Sequence, residues 1–336
     1  MIQEAIKKIV EKNDLPEQEA INVMREIMTG IATPSQIACF ITALRLKGET
    51  VEEIAGCAKV MRETAKKINL KSSTIVDTCG TGGDGTHTFN ISTATAFVVA
   101  GAGVAVAKHG NRSVSSKSGS ADVLQELGVN IEADVLCVED CVNSTGIGFL
   151  FAPLFHPAMK FAIGPRREIG IRTVFNLLGP LTNPADAGFQ VLGVYDGELT
   201  EVMANVLGKL GSRRVFVVHG EDGLDEVTTT GRTKVSELKD GKVATYFVTP
   251  EDFGLKRAGL NDLRGGLPKE NAEILLDILR GEKGCRRDIV LLNAAFAISA
   301  CGKANSIKDG MNIAAESIDS GNALAKLKSL KERSCI

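Results

Sequence analysis

Aromatic residues make up only 4% of this 336-residue sequence and tryptophan is absent. So few rings argue against a surface that stacks nucleic-acid bases. An excess of either charge is also missing: 39 basic residues stand against 41 acidic ones, and a formal net charge of −2 gives no footprint for non-specific nucleic-acid binding. Any basic patch is therefore local. Cys39, Cys57, Cys79, Cys137, Cys141, Cys285, Cys301 and Cys335 contain no C-x-x-C pair, and Cys137 with Cys141 has no histidine nearby. These read as buried or reduced thiols, not as a metal or redox site. Residues 1–14 alternate charged and apolar side chains and lack a signal-peptide core. Residues 89–107 carry no formal charge, long enough by itself to suggest a membrane span. Asn90, Ser92, Thr93, Thr95, Gly101 and Gly103 interrupt that run, which divides into a helix and then a strand of buried core. The expectation is a soluble, cytoplasmic protein with neither a membrane nor a nucleic-acid partner.

What is present is glycine, 35 residues of it, together with alternating strand and helix patterns that lean toward an α/β protein with tight backbone turns. The length favours two domains. The first seventy residues read as helices. Asp14-Leu-Pro-Glu17 looks like an acidic N-cap with Glu17 reaching back. Thr33-Pro-Ser-Gln36 and Thr50-Val-Glu-Glu53 are capping boxes, the former with Pro34 at the first helical position. Ala20, Val23, Met24, Ile27 and Met28 share one helical face, as do Ile37, Phe40, Ile41 and Leu44, and Gly48 is a natural stop. From Thr74 the pattern changes. Strands are predicted at 74–77, 104–107, 147–151, 191–195, 215–218 and 244–248, and helices at 92–102, 121–127 and 199–210. The fold class is therefore α/β: a small N-terminal helical domain, 1–70, and a larger α/β domain, 71–336, with a central, mostly parallel sheet flanked by helices. Residues 165–184 resemble a connector that leaves the sheet and returns, packing on the small domain, and 305–333 read as amphipathic helix.

Three elements carry chemistry. Gly80-Thr-Gly-Gly-Asp-Gly85 stands between a strand and a helix, where backbone N–H groups approach an anion closely and a helix start adds partial positive charge. Taken alone it is equally a structural turn, and it matches neither a P-loop nor a dinucleotide fingerprint. Lys108-His-Gly-Asn-Arg-Ser-Val-Ser-Ser116 follows a buried strand with cations and hydroxyls, Lys117 comes next, and Ser118-Gly-Ser120 opens another helix. That loop suits a ligand with two separated phosphates, although loops collect such residues anyway. Glu221, Asp222, Asp225 and Glu226 follow a strand, and the adjacent pair Asp225-Glu226 would repel unless a cation bridges it or water screens it. An acidic surface turn is the plain reading; beside a phosphate site, hard oxygen ligands point to Mg²⁺.

Gly80 to Gly85 followed by Thr88-Phe-Asn-Ile-Ser-Thr93, then Lys108-His-Gly-Asn-Arg with Ser115-Ser116 and Gly119-Ser-Ala-Asp-Val-Leu124, then Asn176-Leu-Leu-Gly-Pro-Leu-Thr-Asn-Pro184, then Asp225-Glu226, resemble in order the signatures of the anthranilate phosphoribosyltransferase family. The likeness spans essentially the whole chain. It implies Gly80, Gly83, Asp84, Thr88, Asn90, Ile91, Ser92 and Thr93 as contacts for phosphoribosyl pyrophosphate. Lys108, His109, Gly110, Asn111, Arg112, Ser113, Val114, Ser115, Ser116 and Ser120 would complete that site. It implies Gly80, Asn111 and Arg166 for anthranilate, with the Arg166 fork facing the carboxylate. Ser92, Asp225 and Glu226 would ligate Mg²⁺, two ions per subunit. The resemblance also implies a homodimer and leaves open an association with anthranilate synthase. No residue pair stands out as nucleophile and base. The alternatives are a pyrimidine nucleoside phosphorylase-like enzyme and a non-catalytic nucleic-acid-binding homologue.

Overall fold

Four helices precede the first strand in the computed structural model, which describes residues 1–113 and 117–335. They are α1 (Ile2–Val10), α2 (Glu17–Met28), α3 (Pro34–Lys47) and α4 (Val51–Thr64). Both capping boxes form. The Thr33 and Thr50 hydroxyls accept from the Gln36 and Glu53 amides, and the Gln36 and Glu53 side chains accept in return from the threonine amides. Glu53 is completely buried because it does more than cap: Leu15 N and Lys47 Nζ each donate to it at 2.9 Å. The acidic cap at Asp14 does not form. Pro16 occupies the N-cap position with no side-chain bond, while Asp14 pairs with Lys47 and Glu17 with Lys59. An ammonium is a stronger partner for a carboxylate than one neutral amide. The two apolar faces are buried as expected, and Gly48 ends α3 with a φ of 93°.

Seven strands follow: β1 (Ile75–Gly80), β2 (Ala105–Gly110), β3 (Ile147–Phe151), β4 (Phe189–Gly193), β5 (Arg214–Gly220), β6 (Thr233–Lys239) and β7 (Lys242–Val248). They form one sheet in the order β3-β2-β1-β4-β5-β6-β7. The first five are parallel; β6 and β7 are antiparallel. Between the strands and after them lie α5 (Ile91–Gly101), α6 (Ser120–Glu126), α7 (Val135–Thr145), α8 (Ala152–Phe155), α9 (Lys160–Ile169), α10 (Val174–Leu181), α11 (Leu199–Lys209), α12 (Pro268–Leu279), α13 (Cys285–Ala300), α14 (Ile307–Asp319) and α15 (Asn322–Ser334).

Four departures from the sequence reading matter. Strands β1 and β2 each run three residues further than expected, so Lys108, His109 and Gly110 belong to a strand and not to a loop. Parallel pairing of Lys108, His109 and Gly110 with β3, and of Thr78, Cys79 and Gly80 with β4, keeps these segments extended where periodicity alone would end them. The connector is two helices, α9 and α10, each with an internal proline, Pro165 and Pro180, and they pack on α2, α3 and α4. The tail is two helices broken at Gly321, φ 79°. Strand β6 was not anticipated.

The sheet is covered on both faces. Val76, Val106, Val191 and Phe216 face a core with α5 and α13, while Leu192, Val215 and Val217 face one shared with α3, α4 and α10. Because β1 sits between β2 and β4, the connections diverge there. The crevice outside the carboxyl ends of β1 and β4 is therefore the natural ligand position of such a sheet. No helix among the described residues is long and apolar enough to cross a membrane.

Candidate active site

The last residues of β1 and β4, Gly80 and Gly193, pair side by side. A β-carbon on either would overlap Asp225, meeting its carboxylate from Gly80 and its backbone carbonyl from Gly193. These glycines therefore let the segment after β5 lie against the strand ends. Asp225 Oδ2 accepts from Gly82 N at 2.9 Å, which ties the acidic pair to the glycine-rich loop. The Ser92 amide, in the first turn of α5, faces Glu226 and favours its charged form. From β2, buried Lys108 reaches the same place: its Nζ donates to the Thr78 carbonyl and lies 3.2 Å from Ser92 Oγ. Glycine loop, helix start, lysine and acids thus converge on one spot.

Electrostatics there are unsettled. Burial, and then Asp84, push the Asp225 carboxyl up to about 6. Burial, and then Asp225 itself, hold Glu226 well above the usual carboxylate range. Burial pulls the Lys108 ammonium down even though Asp77, Cys79, Glu226 and Asp225 oppose it. Two crowded carboxylates that resist ionising together, with the Ser92 hydroxyl at the adjoining helix start, are a hard-oxygen set that a divalent cation would relieve. Among the described residues no group of three or more histidine, cysteine or acidic side chains forms a metal cluster, so an ion held here draws on the carboxylate pair, the hydroxyl, water and its ligand. Mg²⁺ fits that donor set. Glu221 and Asp222, also noted in the sequence, are employed elsewhere: Glu221 pairs with Arg232, and Asp222 accepts from Thr228 and Thr230.

The second loop is braced from α6. Asp122 accepts from Ser113 N at 3.0 Å, from Gly119 N at 2.9 Å and from Arg112 Nη1 at 3.0 Å. Arg112 also bonds Gln125, so its guanidinium is committed to α6. Asn111 Oδ1 accepts from Arg112 N, and its carbonyl accepts from Ala121 N and the Ser120 hydroxyl. Asn90 connects this loop to α5: it donates to the Ser118 carbonyl and accepts from the Ser118 hydroxyl and from Asn271 Nδ2. Val114, Ser115 and Ser116 lie outside the described residues.

Elsewhere the expected residues are distributed as follows. Asp84 is bonded to Thr86, and Thr88 bridges to Arg264. Ile91 and Thr93 are buried in the first turn of α5, and the Thr93 hydroxyl has no hydrogen-bond partner among the described residues. Gly110 leaves room for Ser120 and Phe149. His109 departs from expectation. Successive strand residues face opposite sides, so its ring turns away from Lys108 toward the connector, 3.2 Å from the Gly179 carbonyl. Arg166 closes α9 with its guanidinium 5.1 Å from the Phe175 ring centroid, and no carboxylate among the described residues pairs with it. Burial lowers its pKa. The sequence reading passed over Arg172, which donates to the Gly83 carbonyl and stacks 4.4 Å from the Tyr195 ring centroid, joining connector to glycine loop. The cluster of connector arginines was its signal; for Asn271 there was none.

Residues 3–65 match the helical bundle domain of the glycosyl transferase family and residues 72–324 its a/b domain. An anthranilate phosphoribosyltransferase of Acetivibrio thermocellus is 58% identical over 332 residues, covering 99% of this chain and 96% of the relative. The chain belongs to the anthranilate phosphoribosyltransferase family. A crystal structure of that enzyme from Thermus thermophilus superposes with a TM-score of 0.94 at 45% identity, covering 99% of both chains. The Saccharomyces cerevisiae anthranilate phosphoribosyltransferase in complex with PRPP and Mg superposes at 0.90 and 31% identity, covering 99% of this chain and 98% of that one. Neither the nucleoside phosphorylase reading nor the nucleic-acid-binding one is favoured by these anthranilate phosphoribosyltransferase relatives.

Proposed function

We propose that the chain transfers the phosphoribosyl group of phosphoribosyl pyrophosphate to the amine of anthranilate, releasing pyrophosphate, in tryptophan biosynthesis. The observation that carries this reading is the meeting of Lys108, Ser92, Gly82, Asp225 and Glu226 at the crevice beside β1. A polyanionic sugar held there has its phosphates against loop amides and Lys108. Gly80, Gly83, Asp84, Thr88, Asn90 to Thr93, Gly110 to Ser113 and Ser120 line its place in this reading. Ser92, Asp225 and Glu226 would hold Mg²⁺, which would supply positive charge to the departing pyrophosphate. The bond from the anomeric carbon to pyrophosphate oxygen breaks with its electron pair on the leaving group. The anthranilate nitrogen forms the new bond from the opposite face and loses one proton to solvent. An aromatic amine is weakly basic, so its lone pair is free at neutral pH and a dedicated base is not required. The work of the protein is placement and charge stabilisation.

Arg166, unpaired with any acid among the described residues, receives the anthranilate carboxylate, with Gly80 and Asn111 beside it. The finer reading continues with two ions per subunit, a homodimer in the cytoplasm, and a division into a helical domain, 1–70 with the connector, and an α/β domain, 71–336. The deciding experiment is formation of N-(5-phosphoribosyl)anthranilate by purified protein with and without Mg²⁺. Product only with metal supports the assignment; no product, and no calorimetric uptake of phosphoribosyl pyrophosphate, ends it. Arg166→Ala should raise KM for anthranilate far more than KM for phosphoribosyl pyrophosphate.

A further inference from the structure

The transfer chemistry leaves a buried charge on β1 unused. Asp77, in the middle of β1, is 0% exposed, and it faces away from Thr78 and Lys108 because alternate strand residues point to opposite faces. On that far face its hydrogen bonds come from neutral groups. The His109 amide donates to Oδ1 at 3.3 Å, and Asn183 Nδ2 donates to Oδ2 at 2.8 Å. Asn183 is itself buried; its Nδ2 also reaches the Ala107 carbonyl at 2.7 Å, and its Oδ1 accepts from Ala185 N at 2.9 Å. Burial pushes the Asp77 carboxyl up to about 6, against the opposing charge of Lys108. An aspartate with no ion-pair partner on its own face is a costly way to fill this space, unless what it holds requires an acceptor at both oxygens.

What it holds is two walls. One is the end of β2, where His109 precedes Asn111 by two residues. The other is the return of the connector from α10, where Asn183 follows Gly179 and Pro180. The walls also touch directly, through His109 Nδ1 and the Gly179 carbonyl at 3.2 Å, and Gln190 Nε2 holds the Pro180 carbonyl at 2.8 Å. Strand β2 is further locked by ladders with β1 and β3, whereas the connector's return has no ladder.

We propose that Asp77 is a positioning residue for the acceptor side of the reaction: through His109 and Asn183 it sets the spacing between the strand end that carries Asn111 and the connector that carries Arg166. The proposal rests on the assignment of Asn111 and Arg166 to anthranilate. Loss of the clamp frees the connector more than the strand, so the acceptor side changes most, while the donor side feels the loss only through Arg172 on the Gly83 carbonyl and through the Asp77 charge that supports the Lys108 ammonium.

Steady-state kinetics of Asp77→Asn, with both substrates varied, tests this. The amide keeps the shape but sets an N–H against the His109 or Asn183 donor. KM for anthranilate should rise by about tenfold or more while KM for phosphoribosyl pyrophosphate rises distinctly less, by about threefold at most. Asn183→Ser keeps a short donor and should fall between wild type and Asn183→Ala; it answers the same question if Asp77→Asn does not fold. Equal changes in both KM values, or a lowered melting temperature with the KM ratio unmoved, overturn the proposal. Wild-type turnover and the Arg166→Ala split, run in parallel, keep its failure distinct from failure of the functional assignment.

Discussion

The Lys108 ammonium lies 3.2 Å from the Ser92 hydroxyl, so the end of β2 and the start of α5 meet over the end of β1. That contact brings a buried cation, a helix N-terminus and the Asp225-Glu226 pair into one field. Lys108→Met, similar in length but uncharged, should raise KM for phosphoribosyl pyrophosphate and lower kcat/KM on the order of a hundredfold. Initial rates at saturating anthranilate measure this. A variant with wild-type kinetics would remove Lys108 from the donor site.

Gly193 abuts the main chain of Asp225, which cannot swing aside as a side-chain tip would. Gly193→Ala should displace the acidic pair, shift the Mg²⁺ titration to higher concentration and cost about 1–3 kcal/mol of stability. Gly231→Ala, where a β-carbon meets nothing within 4 Å, is the control. Equal metal profiles for the two variants would contradict the argument.

Replacing Asp225 and Glu226 by Asn and Gln should weaken the dependence of activity on Mg²⁺. The variant should also be no less stable without metal, since two carboxylates that resist ionising are exchanged for neutral amides. Metal-free melting curves and rate-against-Mg²⁺ plots decide it.

Acid should unfold the protein partly through His109 and His156, whose rings lie 5.0 Å apart and are pushed by burial to about 3 and about 4. Unfolded histidine protonates near pH 6.5, so below that the unfolded chain takes up protons that the folded chain refuses, and stability falls. By pH 4.5 the loss is roughly 2–3 kcal/mol per histidine. Asp77 works the other way: its carboxyl is pushed up to about 6, so the folded chain binds that proton first and recovers part of the loss. Denaturant midpoints at pH 7 and pH 4.5 should converge in His156→Asn relative to wild type. An unchanged slope with pH would exclude the histidine.

The two capping boxes, the Gly48 stop and both apolar helix faces were legible because each depends on neighbours within a few residues. The β6–β7 hairpin carried a local signal that went unused: Asp240 and Gly241 both have positive φ, 51° and 74°, the turn that Asp-Gly favours between paired strands. Other features had no local signal. The Asp14 cap was lost to Lys47, a residue distant in sequence, and Pro165 and Pro180 sit inside helices because the bundle covers them. The three chemical elements were visible as a loop, a cationic strand end and an acid pair, but not the side to which each side chain turns.

Local order therefore belongs to the amino-acid string itself: where helices begin, which faces are apolar, and where glycine permits an anion to approach. Only the folded sheet decided that Lys108 faces Ser92 while His109, one residue later, faces Gly179, and that Glu221 and Asp222 stand apart from Asp225 and Glu226. The physical reason is that a strand alternates its faces, and which face meets which neighbour is set by pairing among segments far apart in the chain.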